Sequence, residues 1–254
     1  MQFAVPTATL ITLLLVSARI LAWSAVAPPL ATGGVSLRIR TVVSVALALP
    51  LLTIAGKHAP PAETGPLMTA LVLQIVTGAA LGFLTRLLFT AVEAAGSLLD
   101  VGSNFTLATA YDPMTGATGA VFGRLYSLLC TTLIFATDVH LLIFQGFLRT
   151  FSAVPLDAGV SLGRLDRVIT SGVTDLFVGA LQVAGPLLVV LFIADVALGL
   201  LNRIAPQLNA FALSFPLKIG LTLLLVGFSF LLLPQTVTQL GGRATRLVLG
   251  VVGA

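Results

Sequence analysis

Charge is what this chain has least of. Of its 254 residues, 13 are Lys or Arg and 9 are Asp or Glu, 9% in all, where soluble domains carry about 25%. That is too little to cover a soluble surface. With 57% hydrophobic residues and a mean hydropathy of +1.11, the chain reads as a membrane or membrane-assembly protein. The single cysteine, Cys130, excludes an internal disulfide, and its apolar run makes it a small core residue. With only His58 and His140 there is no H-E-x-x-H, hence no zinc-protease site. A G-x-S-x-G elbow and a P-loop are missing too, which excludes that nucleophile and that route to nucleotide hydrolysis. No catalytic residue, cofactor or metal is therefore expected, and the chain reads as a non-enzyme. The net charge of +4 is too scattered for a nucleic-acid face and suits the cytoplasmic flanks of membrane segments. The apolar run Ala4 to Ala27 lacks a basic stretch before it and carries Arg19 inside, so a retained first helix is expected in place of a signal peptide.

Six apolar segments are present, at about 5–27, 41–56, 66–92, 120–148, 168–201 and 207–233. A helix crosses a bilayer with roughly 20 apolar residues. The second segment is short and carries Pro50, whereas the third and fifth are overlong. Unequal lengths suit helices sheltered by other subunits better than upright spans in lipid. The expected fold is all-α: a polytopic membrane-assembly protein of about six long helical segments arranged in hairpins. Arg19, with Trp23 one turn later, reads as a packed arginine over an aromatic face. Arg38 and Arg40 open the second segment as headgroup or subunit anchors. Gly78 and Gly82 stand four apart, a spacing that lets helix backbones approach. Glu93, Asp138, Asp175 and Asp195 lie in apolar runs, where they bond helices within an assembly or form an ion relay. Arg149 to Arg167 is the most polar connection and the best internal boundary, and the distribution of Lys and Arg over the loops favours cytoplasmic termini.

Two stretches are not apolar in the way their neighbours are. Leu198 to Lys218 holds Asn202, Arg203, Gln207 and Asn209 around Pro206, then Phe211, Phe215, Pro216 and Lys218. Pro206 removes a backbone donor and disfavours helix at Ala205. The stretch reads as a helical hairpin whose bend is packed against protein. Asp100 to Arg124 is rich in Gly, Ser, Thr and Asn, with a turn start at Asp112-Pro113 and flexible points at Gly116 and Gly119. Such backbone is tolerated at membrane depth only where it lines a cavity; elsewhere it is an exposed connection.

The pattern N-R-x-x-P-Q-x-N-x-F followed by F-P-x-K, from Asn202 to Lys218, resembles the FliR family, the R component of the type III export gate. The D-P loop, G-R at Gly123-Arg124 and a long helix ending near H-L-L extend the resemblance, which covers nearly the whole chain. Flagellar members and the virulence-associated SctT group share the pattern, and the flagellar assignment is preferred. The resemblance implies a subunit of a gate that conducts unfolded substrates across the bacterial inner membrane, at the flagellar basal body. It implies FliP-like and FliQ-like companions, an FlhB-type switch protein and an FlhA-type export component. It divides the chain into a P-like part, 1–160, and a Q-like hairpin, 161–254. It also makes Asn104 to Gly119 a lumen plug, with Phe105, Leu107, Tyr111 and Met114 as bulk, Asp112 and Pro113 at the turn, and Gly116 and Gly119 as hinges. Relatives often carry Phe before the D-P pair, where this chain has Leu107, Ala110 and Tyr111. The rival reading is a self-contained secondary transporter that couples ions through its carboxylates; the inverted symmetry such a protein shows is not visible.

Overall fold

A computed structural model of the chain describes residues 6–28, 30–31, 35–56, 60–105, 120–205, 207 and 210–253. Among the described residues there is no strand. Helix α1 spans Thr7–Val26 and α2 Leu37–Ala48; a 3-10 turn at Leu49–Leu51, seeded by Pro50, leads into the short α3, Leu52–Ala55. Then come α4 (Thr64–Gly102), α5 (Val121–Ala136), α6 (Val139–Ala153), α7 (Leu162–Ile204) and α8 (Ala210–Val252). Among the described residues, five helical stretches are long and apolar enough to cross a membrane, six when the broken pair α5 and α6 counts as one. The chain is an all-helical polytopic membrane protein. A helix closes its own backbone hydrogen bonds, the condition a bilayer imposes.

Three boundaries differ from the hydropathy reading. Helix α4 runs ten residues past Val92, the end of its apolar run, to Gly102. It continues because Ala91, Ala95 and Leu99 stay buried at fourfold spacing while Glu93 points outward. Helix α8 likewise passes its last strongly apolar stretch at Leu233 and reaches Val252, with Val237, Leu240, Ala244, Val248 and Val251 as its buried stripe. The expected long helix over 120–148 is instead two. Asp138 takes φ 57°, in the left-handed region, and a right-handed helix cannot pass through it. A short polar side chain tolerates that conformation, so Thr137-Asp138 is where the helix breaks.

The chain folds into two compact units: Met1–Leu88 with Asp138–Val173 and Leu240–Ala254, and Phe89–Thr137 with Thr174–Gln239. The first is built on Arg19, which is wholly buried. Its Nε donates to Gln74 Oε1 on α4, Nη2 to the Val154 carbonyl at 3.0 Å and Nη1 to the Thr150 carbonyl at 3.4 Å. Gln74 Nε2 in turn donates to the carbonyls of Leu156, at 2.9 Å, and Ala158, at 3.4 Å. The guanidinium does lie over an aromatic face, but the ring is Phe151, 4.5 Å away, not the expected Trp23. Trp23 stacks on Phe147 at 4.4 Å instead, because α6 brings a row of phenylalanines to α1. Gly78 and Gly82 allow the approach of α4 to α1. A Cβ on Gly82 would stand 2.8 Å from the Trp23 carbonyl, and one on Gly78 would collide with that of Arg19.

This network generates a stability prediction. Gln74→Leu strips the buried guanidinium of its side-chain acceptor and leaves two carbonyls without a donor, a loss of about 3 kcal/mol. Arg19→Lys is expected to fail as a replacement, since an ammonium lacks the planar fork that reaches three acceptors. Thermal unfolding of the purified protein is the measurement; unchanged midpoints would contradict the assignment.

Candidate functional site

Two helix ends frame the segment 106–119, which lies outside the described residues. The first is the C-terminus of α4. Ser103 turns back, its N–H donating to the Leu99 carbonyl at 2.9 Å and its Oγ to the same atom at 2.6 Å. Asn104 follows at φ 65° and ends the helix in the left-handed conformation that Asn, after Gly, adopts most readily. Helix carbonyls at this end lack intrahelical donors. Lys218 of α8, only 3% exposed, supplies one: its Nζ donates to the Gly102 carbonyl at 3.2 Å. The same ammonium pairs with Asp195 Oδ1 of α7 at 2.6 Å. A cation at a helix C-terminus opposes the negative end of the dipole.

The second end is the N-terminus of α5. Its N-cap residue is Ala120, which has no side-chain acceptor. Asp100, 1% exposed, reaches over from α4 and caps the helix across the intervening chain. Oδ1 accepts from the Phe122 N–H and Oδ2 from the Gly123 N–H, each at 3.0 Å. A carboxylate on two orphan donors is a charge-assisted pair at the positive end of a dipole. The two helices touch closely here, since a Cβ on Gly96 would collide with the Phe122 carbonyl. Phe105 closes the frame edge-on to Phe122, with centroids 5.0 Å apart. Farther along, Tyr126 and Ser229 share a hydrogen bond of 2.6 Å between α5 and α8.

The sequence-derived site residues fare unequally. Asn104 and Phe105 belong to the frame; Leu107, Tyr111, Asp112, Pro113, Met114, Gly116 and Gly119 lie outside the described residues. Of the hairpin set, Asn202, Arg203 and Gln207 are exposed, with no hydrogen bond to another described residue through their side chains. Pro206 and Asn209 lie outside the described residues, as does the side chain of Phe211 in the first turn of α8. Phe215 is half-buried and Pro216 exposed within the helix. Lys218 alone of this set joins the frame. Its ion-pair partner Asp195 was read from sequence only as one of four acids in apolar runs, and Asp100, the other charge of the frame, was not singled out. A signal for Asp100 existed: Ala120 cannot cap α5, so an acceptor had to come from elsewhere. Among the described residues no group of three or more His, Cys, Asp or Glu is placed to hold a metal.

A family model for bacterial export proteins, family 1, matches residues 10–243. The chain belongs to that family. Among similar proteins is the flagellar biosynthetic protein FliR of Escherichia coli K12, 30% identical over 213 residues, covering 81% of this chain and 80% of the relative. FliR of Pectobacterium carotovorum is 28% identical over 221 residues, covering 85% and 83%. The surface presentation of antigens protein SpaR of Salmonella typhimurium is 27% identical over 221 residues, covering 87% and 83%. The family-model match, residues 10–243, spans both framed helix ends.

The frame makes an unusual prediction about mutants. Asp195→Asn leaves a buried ammonium with one carbonyl, and stability should fall. Adding Lys218→Met should recover part of the loss, because removing both charges is gentler than stranding one. Asp195 is half-exposed, which limits the effect to about 1 kcal/mol. Comparing melting midpoints of the two single variants and the double variant tests this; an additive double variant would refute the coupling.

Proposed function

We propose that this chain is a subunit of the flagellar type III protein export gate, at the inner membrane of the flagellar basal body. In this reading it forms part of the conduit for unfolded substrate proteins. The observation that carries it is the family match over residues 10–243, with relatives named FliR over four-fifths of the chain. FliP-like and FliQ-like subunits complete the gate, the FlhB-type switch protein and FlhA-type component act with it, and the chain divides into a P-like part to residue 160 and a Q-like hairpin after it. The exposed side chains of Asn202, Arg203 and Gln207 at the α7–α8 bend, with no hydrogen-bond partner among the described residues, support subunit contacts there.

Residues 104–119 are the plug. Support comes from the frame: a seal that opens and recloses needs fixed ends, and Asp100, Lys218 and the Phe105–Phe122 contact fix them. The bulk of Leu107, Tyr111 and Met114 would exclude water, and a dry constriction is a barrier to hydrated ions. The transporter reading draws no support from the carboxylates nearest the frame, because Asp100 and Asp195 are already engaged with an helix end and with Lys218.

Two outcomes are expected. Expressed without its companions, the protein should be degraded or aggregate, and co-expression should rescue it; a monodisperse, protease-resistant monomer in mild detergent would argue against an obligate subunit. Deleting 106–118 should leave the complex assembled but leaky to small ions in conductance measurements. Assembled, ion-tight deletion complexes would remove the plug while leaving the export assignment standing.

A further inference from the structure

Between α1 and α2 runs an apolar groove of about 370 Å³, lined by Leu10, Leu13, Leu14, Leu21 and Val45, with Ser17 in its wall. The helices are antiparallel: the turn from α1 leads into α2, and Gly56, beyond α3, has returned to within 3.8 Å of Thr12 by its would-be Cβ. Leu21 is therefore at the end of the groove where α2 begins, and Leu10 at the other. Eleven residues at 1.5 Å each make the groove about 16 Å long. That is close to half of a bilayer's ~30 Å hydrocarbon core.

The α2 end of the groove is basic. Thr41, Ser44 and Val45 line it. Arg38 precedes Thr41 by three residues and Val45 by seven; Arg40 precedes Ser44 by four. Helical spacing thus sets one arginine on each flank of the mouth. Neither is ion-paired among the described residues, and Arg40 Nε is buried without a hydrogen-bond partner. The Ser17 hydroxyl, one turn deeper, is also buried and unpartnered. From mouth to end the order is the arginines beside Leu21, then the hydroxyl, then Leu14, Leu13 and Leu10.

We propose that this groove binds one anionic phospholipid of the surrounding membrane, with its phosphate between Arg38 and Arg40 and an acyl chain along α1 to Leu10. The ester region then meets Ser17. An apolar helix of another protein would fill the leucine floor but leave both arginines and the hydroxyl unanswered; a free anion would leave the floor bare. A phospholipid answers all of them at the depths where they occur. The inference rests on the membrane fold and not on the export reading.

Native mass spectrometry tests it on the protein purified with its co-expressed companions and titrated with phosphatidylglycerol or phosphatidylcholine from mixed micelles. The wild type should favour phosphatidylglycerol. Each arginine near a headgroup contributes about a fivefold preference, so Arg38→Gln with Arg40→Gln should lose about 25-fold. Leu14→Trp, which fills the floor and leaves the arginines, should weaken both lipids. An unchanged preference in the double variant would overturn the proposal. So would competition by inorganic phosphate alone, which marks a free-anion site, or efficient cross-linking of Leu14→Cys to a companion subunit, which marks a helix in the groove.

Discussion

Buried charges in this protein are matched to helix ends. An ion taken into an apolar interior costs several kcal/mol unless it is partnered, and helix termini in an apolar interior carry backbone groups that also lack partners. One problem solves the other when the signs agree. Arg19 meets carbonyls of Thr150 and Val154 at the C-terminus of α6. Lys218 meets Gly102 at the C-terminus of α4, and Asp100 meets two N–H groups at the N-terminus of α5. Cations stand at C-termini and the anion at an N-terminus, as the helix dipole requires.

This matching accounts for helices of such unequal length. Charge in a long apolar helix is tolerable only where another helix stops beside it. Helix α4, with 39 residues, carries Gln74 at the level where α6 ends and Asp100 at the level where α5 begins. Its length is thus set by two separate terminations, not by the thickness of a bilayer. Glycine completes the arrangement, since Gly78 and Gly82 let α1 come near enough for Arg19 to reach past α4 to α6.

The frame and the α7–α8 bend differ in how their polar groups are satisfied. The frame of the 106–119 segment is built from short, charge-assisted contacts, and both its helices pass one another closely at Gly96 and Gly123. The α7–α8 bend has the opposite character, with exposed amides and an exposed arginine that have no hydrogen-bond partner among the described residues. In an export protein, the frame suits a part that must hold its geometry.

What the sequence determined by itself follows from period and composition. Nine per cent charge and long apolar runs dictate helices in a membrane setting, and the Asn202 to Lys218 pattern points to the family, because both are local properties of the chain. Helix ends were less legible: a hydropathy run stops at Glu93, yet the helix continues wherever every fourth residue stays buried, and it breaks at Asp138 through a backbone conformation that composition does not register. Only the tertiary structure decided which charge meets which helix end. Arg19 and Val154 are separated by 135 residues and Lys218 and Gly102 by 116. Periodicity can show that such residues face inward; which unpaired carbonyl or amide waits there depends on where another helix, far along the chain, happens to stop.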